Sequence, residues 1–266
     1  MVIDFHVHCF PDEIAAKAIS VLEQNAGFPA KLNGTVSDLK SSMKKSGIDH
    51  SVVLSIATNP SQTEKINNWS AEIQDNDISA FGSIHPEYTE WKRELRRIKQ
   101  LGLKGIKLHP DYQKFYVDDR KMYPMYELAL ELGLIIVFHA GVDIGLPAPY
   151  HCTPERLLKV LRDIPGGKFV AAHMGGYYYW DDVEKLLVGK DIYLDTSYLI
   201  GRIKDEQFQR IIGNHDYRRI LFATDSPWVD QSAYIEKFKS LIPQNDLQKA
   251  ILCENGNTLL QFKIDD

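Results

Sequence analysis

Apolar residues along the chain fall into short, nearly continuous runs that alternate with amphipathic segments, at intervals of about 30 residues, the length of a strand–helix–strand unit. Eight such runs, at 2–8, 51–56, 78–84, 105–109, 134–139, 168–173, 192–197 and 220–225, are rich in Val, Ile, Leu and Phe. Near-continuous hydrophobicity is the mark of parallel strands whose outer face is covered by helices. The segments between them carry helix signals. Leu95, Ile98 and Leu101 recur at helical spacing within 90–101, with Thr89 as the expected N-cap. Thr153-Pro154-Glu155 puts a capping residue and a first-turn proline ahead of 156–162, and Trp180-Asp181-Asp182 opens 183–188. Gly102, Gly133 and Gly189 stand where helices should stop. Two helices, 12–26 and 36–46, separate the first two strands, and 245–262 reads as further helix packed outside the strands.

Eight strands alternating with helices predict an α/β chain folded as a (β/α)8 (TIM) barrel, residues 1–266 forming one domain. The alternative, an open dinucleotide-binding sheet, is weakened because no Gly-x-Gly-x-x-Gly follows the first strand. Composition narrows the function classes. The chain has 266 residues, 44% hydrophobic and 25% charged, with a net charge of -5 and no block of Lys and Arg. Neither nucleic acid nor an anionic membrane is an expected partner. The N-terminus lacks the pattern of a signal peptide, and no apolar run reaches the roughly 18–20 residues of a membrane span. Cys9, Cys152 and Cys253 are too sparse for a disulfide framework or a structural zinc cluster, so a reducing cytoplasm is expected.

In such a barrel, reactive groups sit at the C-terminal ends of the strands. Of nine histidines, His6, His8, His85, His109, His139, His151 and His173 lie at or after predicted strand ends, and only His50 and His215 precede a strand. Asp225 closes the eighth run. Alternation on a strand points His6 and His8, and by the same count Asp4, to one side, with Phe5 and Val7 toward the helices. Two imidazoles from one strand, joined by His139, His173 or Asp225 from others, suit a first-row divalent metal. Lys107 shares parity with His109, so both can face the interior; Lys107 is expected as a buried ammonium paired with Asp4 or a substrate carboxylate. Asp195-Thr196-Ser197 either lines the pocket or ties neighbouring strands. Tyr177 to Trp180 and Trp228 could wall a pocket, and Tyr112, Gln113 and Lys114 could meet a substrate anion.

Five segments taken together, Asp4-Phe-His6-Val-His8-Cys-Phe-Pro11, Gly105-Ile-Lys107-Leu-His109-Pro110, Phe138-His139-Ala-Gly141, Ala172-His173-Met-Gly-Gly176 and Ala223-Thr-Asp225-Ser-Pro227, resemble the amidohydrolase superfamily. Within it the chain is similar to the amidohydrolase-2 branch, which holds decarboxylases of the aminocarboxymuconate-semialdehyde type as well as hydrolases. The resemblance spans essentially the whole chain. It implies metal ligation by His6, His8, His139 and Asp225, with Asp225 also orienting or deprotonating a water. His173 becomes an acid/base group, or a ligand if two metals bind, and the resemblance also offers a carboxylated Lys107 bridging two metals as the alternative to a plain ammonium. One Zn2+ is expected, with Mn2+ or a binuclear site as alternatives. Lys107, His109, Tyr112 and Trp228 are candidate substrate contacts.

The leading expectation is a metal-dependent hydrolase of a small carbonyl substrate, an amide, lactone or related C–N or C–O bond. The alternatives are a non-oxidative decarboxylase of an unsaturated or aromatic acid, and a metal-binding barrel without catalysis. A cationic carboxylate clamp would favour the decarboxylase; Arg120, Arg156 and Arg202 are the candidates. Barrels of this family often pair, which makes a homodimer a further expectation.

Overall fold

The computed structural model describes residues 1–262. Its parallel strands are β1 (Ile3–Val7), β2 (His50–Leu54), β3 (Ile78–Phe81), β4 (Gly105–Leu108), β5 (Ile135–Phe138), β6 (Phe169–Ala171), β7 (Tyr193–Asp195) and β8 (Ile220–Leu221). The helices are α1 (Asp12–Ala26), α2 (Val36–Ser46), α3 (Thr63–Glu72), α4 (Trp91–Gln100), α5 (Tyr123–Glu131), α6 (Pro154–Asp163), α7 (Trp180–Leu186), α8 (Asp205–Asn214), α9 (Gln231–Leu241), α10 (Asn245–Lys249) and α11 (Asn255–Leu260). Every predicted apolar run contains or overlaps a strand, and the two helices between the first two strands have the predicted bounds. Helix α4 departs from expectation at its start. It begins at Trp91, after a turn closed by Tyr88 N–H to His85 O, and no side chain caps it, so Thr89 has no capping role.

Strands β1–β3 and β4–β8 form two continuous ladders. Backbone hydrogen bonds join them at two seams. Phe5 N–H donates to Phe222 O, Asp225 N–H to His6 O and His8 N–H to Ser226 O, while Gly82 N–H donates to Gly105 O and Lys107 N–H to Gly82 O. The second seam needs glycine at 105: a Cβ there would lie 2.4 Å from both Ile135 O and the Phe81 ring.

Alternation along the strands sorts the core into two layers. Ile3, Phe5, Leu54, Phe81, Val137 and Leu221 fill the interior. Val53, Ile106, Leu108, Ile136, Phe138 and Leu194 point outward beneath the helices. The C-terminal segment was expected outside the barrel, but Leu259 and Leu260 of α11 join the interior cluster and seal it from below. Their apolar side chains find more buried surface under Ile3 than on the outer wall; Gly256 packs directly on Ile3.

The expected parity of β1 is also corrected. The register shifts between Asp4 and Val7, where Asp4 pairs with Ser51 and Val7 with Val53. This irregularity lets Phe5 face inward while His6 does too, and it turns Asp4 away from them. Asp4 instead accepts from Thr224 N–H (2.9 Å), Thr224 Oγ1 (2.5 Å) and Gln231 Nε2 (2.8 Å) at the start of α9. Burial pushes its carboxyl up to about 6 against those hydrogen bonds, and Gln231 Oε1 beside it is buried without a partner.

A carboxyl with a higher pKa folded than unfolded holds its proton more tightly in the native state, so stability falls as pH rises from 3.8 to about 6. In Asp4→Asn the new amide can donate to Gln231 Oε1 after that side chain turns over, and no charge is buried. The variant is expected to gain on the order of 1–3 kcal/mol at pH 8 and to lose the decline below pH 6. Chemical denaturation across this range checks it, and a net loss of stability at pH 8 would contradict it.

Candidate metal centre and the cavity above it

The ends of β1, β6, β7 and β8 bring His6, His8, His173, Asp195 and Asp225 together. Hydrogen bonds to their Nδ1 atoms fix three of the imidazoles. His6 Nδ1–H donates to Asp195 Oδ2 (2.9 Å), His8 Nδ1–H to Leu54 O (2.9 Å) and His173 Nδ1–H to Ser197 O (3.0 Å). A neutral imidazole with its proton on Nδ1 has a bare lone pair on Nε2. Burial and the neighbouring Lys107 push His6 down to about 4, so its ring is neutral near pH 7.

These lone pairs converge. His6 Nε2 and His8 Nε2 lie 3.1 Å apart with no hydrogen available between them. Asp225 Oδ1 is 3.2 Å from the second and 3.6 Å from the first. Two lone pairs and an anionic oxygen facing one point repel unless a cation lies among them. Two tetrahedral ligands each at about 2.0–2.1 Å would stand about 3.3 Å apart, close to the separation seen here. The residues therefore fit a divalent ion. Burial opposes the charge on Asp225, but the surrounding His8, His6 and His173 rings outweigh it and hold the carboxyl well below the usual range.

Of the four expected ligands, His6, His8 and Asp225 meet at this point. His139 stands one step away. Its Nδ1 is 3.1 Å from His173 Nε2. Its Nε2 is buried without a hydrogen-bond partner, 4.0 Å from Asp143 Oδ2. His109 stacks on His139 at 4.0 Å and approaches Asp143 Oδ2 through Nε2 at 3.1 Å. This second group resembles a metal site in its residue types. Its proton count differs: His109 Nδ1 accepts from Tyr112 N–H, so Nε2 carries the proton and donates it to Asp143. His109 and Asp143 form a hydrogen-bonded pair.

Lys107 is buried at the cavity floor, with Nζ 3.3 Å from His6 Nε2, and burial pushes the ammonium down to about 8. The expected pairing with Asp4 does not form, because the β1 irregularity faces Asp4 toward α9. Asp195 ties strands together: one oxygen anchors His6 while the other accepts from His173 N–H and Ser197 N–H. His173, Tyr198 and Asp225 all have left-handed backbones, with φ of 58°, 52° and 67°. Non-glycine residues adopt this at a cost of roughly 1–3 kcal/mol each and concentrate at functional sites.

Above the cluster opens a cavity of about 840 Å³. Tyr112, Trp228, His109 and Lys107 line it. Tyr177 and Tyr198 add aromatic wall, whereas Tyr178 is exposed and Trp180 donates to His173 O. Gln113 is buried and holds Ala57 O and Ile84 O, so it supports loops rather than meeting a ligand. Neither Lys114 nor any of the three candidate arginines lines the cavity. Arg120 pairs with Asp163, Arg156 with Asp118, and Arg202 stacks on Tyr198. Sequence reasoning missed Asp143 and the walls supplied by α1 and α3. Asp143 follows the His139 strand by four residues, which was its one available signal.

Residues 3–262 match the family model described as amidohydrolase. Among solved structures, an uncharacterised TIM-barrel protein from Bordetella bronchiseptica is similar, with 21% identity, 98% of each chain covered and a TM-score of 0.78. The 5-carboxyvanillate decarboxylase LigW from Sphingomonas paucimobilis is 14% identical over 98% of this chain and 99% of its own, with a TM-score of 0.74. A probable 2-pyrone-4,6-dicarboxylic acid hydrolase from Acinetobacter baumannii, with citric acid bound, is 16% identical over 98% and 99%, with a TM-score of 0.67. No curated protein sequence matches the chain.

In Asp195→Asn, the amide oxygen stays on the backbone N–H donors and the NH2 faces His6 Nδ1, which forces the His6 proton onto Nε2. Affinity for Zn2+ is expected to fall about 10–100-fold while the fold persists. Competitive chelator titration measures the affinity and nitrogen NMR the tautomer; unchanged affinity with the proton still on Nδ1 would contradict the assignment.

Proposed function

Because the chain belongs to the amidohydrolase family, and is therefore a hydrolase or a carboxy-lyase, we propose that it is a metal-dependent hydrolase of a carbonyl substrate, an amide, lactone or related C–N or C–O bond. The observation that carries this reading is the pair of bare Nε2 atoms of His6 and His8 facing Asp225 at the cavity floor. His6, His8 and Asp225 would hold the ion, with His139 and His173 completing its surroundings, and Zn2+ suits the mixed imidazole and carboxylate set. A divalent ion in such a site polarises a carbonyl and makes water nucleophilic at neutral pH.

The chain's own residues supply the rest. Asp225, ionised and facing the cluster, orients the attacking water and accepts its proton. The proton taken up by Asp225 then reaches the departing nitrogen or oxygen, directly or by way of His173, whose ring is fixed by Ser197 O. Lys107 stabilises negative charge developing on the carbonyl oxygen. Tyr177, Tyr198 and Trp228 exclude water from one side of the reacting group.

The hydrolase reading is favoured over decarboxylation because no arginine among the described residues lines the cavity as a carboxylate clamp. One observation keeps decarboxylation as a second reading: Lys107, the ammonium at the floor, can itself pair with a substrate carboxylate. The barrel fold is shared with a solved decarboxylase and with a hydrolase, so the fold alone serves both.

A panel of esters, lactones, amides and unsaturated acids, followed in parallel for acid release and for CO2, tests the proposal. Acyl-bond cleavage without CO2 is expected, abolished by chelation and restored by a divalent ion. Asp225→Asn is expected to lower turnover by about 10²–10⁴-fold. CO2 release from an unsaturated acid, with no acyl bond cleaved, would move the enzyme to the carboxy-lyases.

A further inference from the structure

The cavity extends well beyond the histidine cluster, along a trough between α1 and α3. Helix α1 has two apolar faces. Ala15 and Ile19 are buried in the protein, while Ile14, Ala18, Val21 and Leu22, at helical spacing, line the cavity. Helix α3 reverses the usual arrangement. Its buried residues are the polar Thr63, Asn67 and Ser70, which hydrogen-bond to Ser55 and His85 in the loops after β2 and β3 and to Glu94 of α4. Its Ile66 and Trp69 face the cavity instead. At the mouth Ile14, Val21 and Ile144 are 50%, 46% and 43% exposed, three of the six large hydrophobic side chains exposed among the described residues. An apolar surface exposed at the rim of a cavity and continuous with its wall is a ligand-binding feature. A small carbonyl compound would touch the floor and leave this trough wet.

We propose that the substrate is a single-chain amphiphile: a carbonyl-bearing head at the histidine cluster and an extended aliphatic chain lying between α1 and α3. The head's position rests on the reading of the cluster as the reacting end; the chain's position rests on the trough alone. Lys107 at the floor is the one lining cation near the head, and Lys17 and Lys65, outside any ion pair among the described residues, stand at the trough's rim. The floor therefore favours a carboxylate or polarised carbonyl, and the helices favour methylenes.

The test uses the zinc-loaded full chain and straight-chain carboxylates from butanoate to dodecanoate, with affinity read by titration calorimetry. Affinity is expected to rise roughly fourfold per methylene until the trough is filled. Val21→Asp, at an exposed position, is expected to cut dodecanoate affinity about tenfold more than butanoate affinity, at unchanged melting temperature. A chain bromine-labelled at its far end is expected to quench fluorescence that Trp69→Phe removes. A flat length series overturns the proposal, as does full retention of the slope in Val21→Asp. A flat series in which Val21→Asp also converts a dimer to a monomer overturns it in favour of a rim covered by a second copy. Repeating the series after chelation separates the two readings: a slope that survives in protein unable to take up zinc supports the trough and fails only the metal centre.

Discussion

The hydrogen bond from His6 Nδ1 to Asp195 is the constraint on which the site depends. It crosses the ring of strands from β1 to β7 and fixes which nitrogen of His6 is bare. The second oxygen of the same carboxylate takes the backbone N–H of His173 and so holds the loop that presents the third imidazole. Burial alone would oppose the charge on Asp195, but His6, through the hydrogen bond it donates, and the neighbouring His173 reverse the balance and hold the carboxyl far below its usual range. A buried carboxylate so stabilised keeps two separate strand ends in register with one another, which no apolar contact of similar size would do with the same directionality.

Most of the barrel was legible because its signal is redundant. Eight apolar runs, helix stops at Gly102, Gly133 and Gly189, and histidines collected at strand ends all point to one architecture. What was not legible depended on a single backbone irregularity or on contacts between distant segments. Strict alternation gives Asp4 the direction of His6, and only the register shift within β1 reverses it. Asp195 stood in the sequence as either a pocket residue or a tie between strands, because nothing local specifies that His6 is its partner 189 positions away. The same holds for α11, whose Leu259 and Leu260 read as an ordinary amphipathic face until the open end of the barrel is known to lie beneath Ile3.

The interior is divided by chemistry along its axis. Ile3, Phe5, Phe81, Val137 and Leu221 make the lower half dry, and α11 closes it. The upper half holds His6, Lys107, His173 and Asp225, all nearly inaccessible. Placing so many ionisable groups together would be unfavourable if each were charged. Neutral imidazoles with assigned tautomers, anchored on Asp195, Leu54 O and Ser197 O, keep the charged groups few. The apolar lower half also forces any solvent or ligand to arrive from above.

That single direction of approach ties the site to the trough. The His173, Tyr198 and Asp225 backbones, all left-handed, spend conformational energy to aim side chains into the mouth. The walls there are helices rather than flexible loops alone: α1 follows β1 directly and α3 follows β2, so the trough is built on the same strands that carry His6 and His8 or run beside them. A substrate chain held between α1 and α3 is therefore positioned by the same rigid elements as the cluster. Binding energy gained along the methylenes can then act on the orientation of the head, which is how contacts remote from a reacting bond raise its rate.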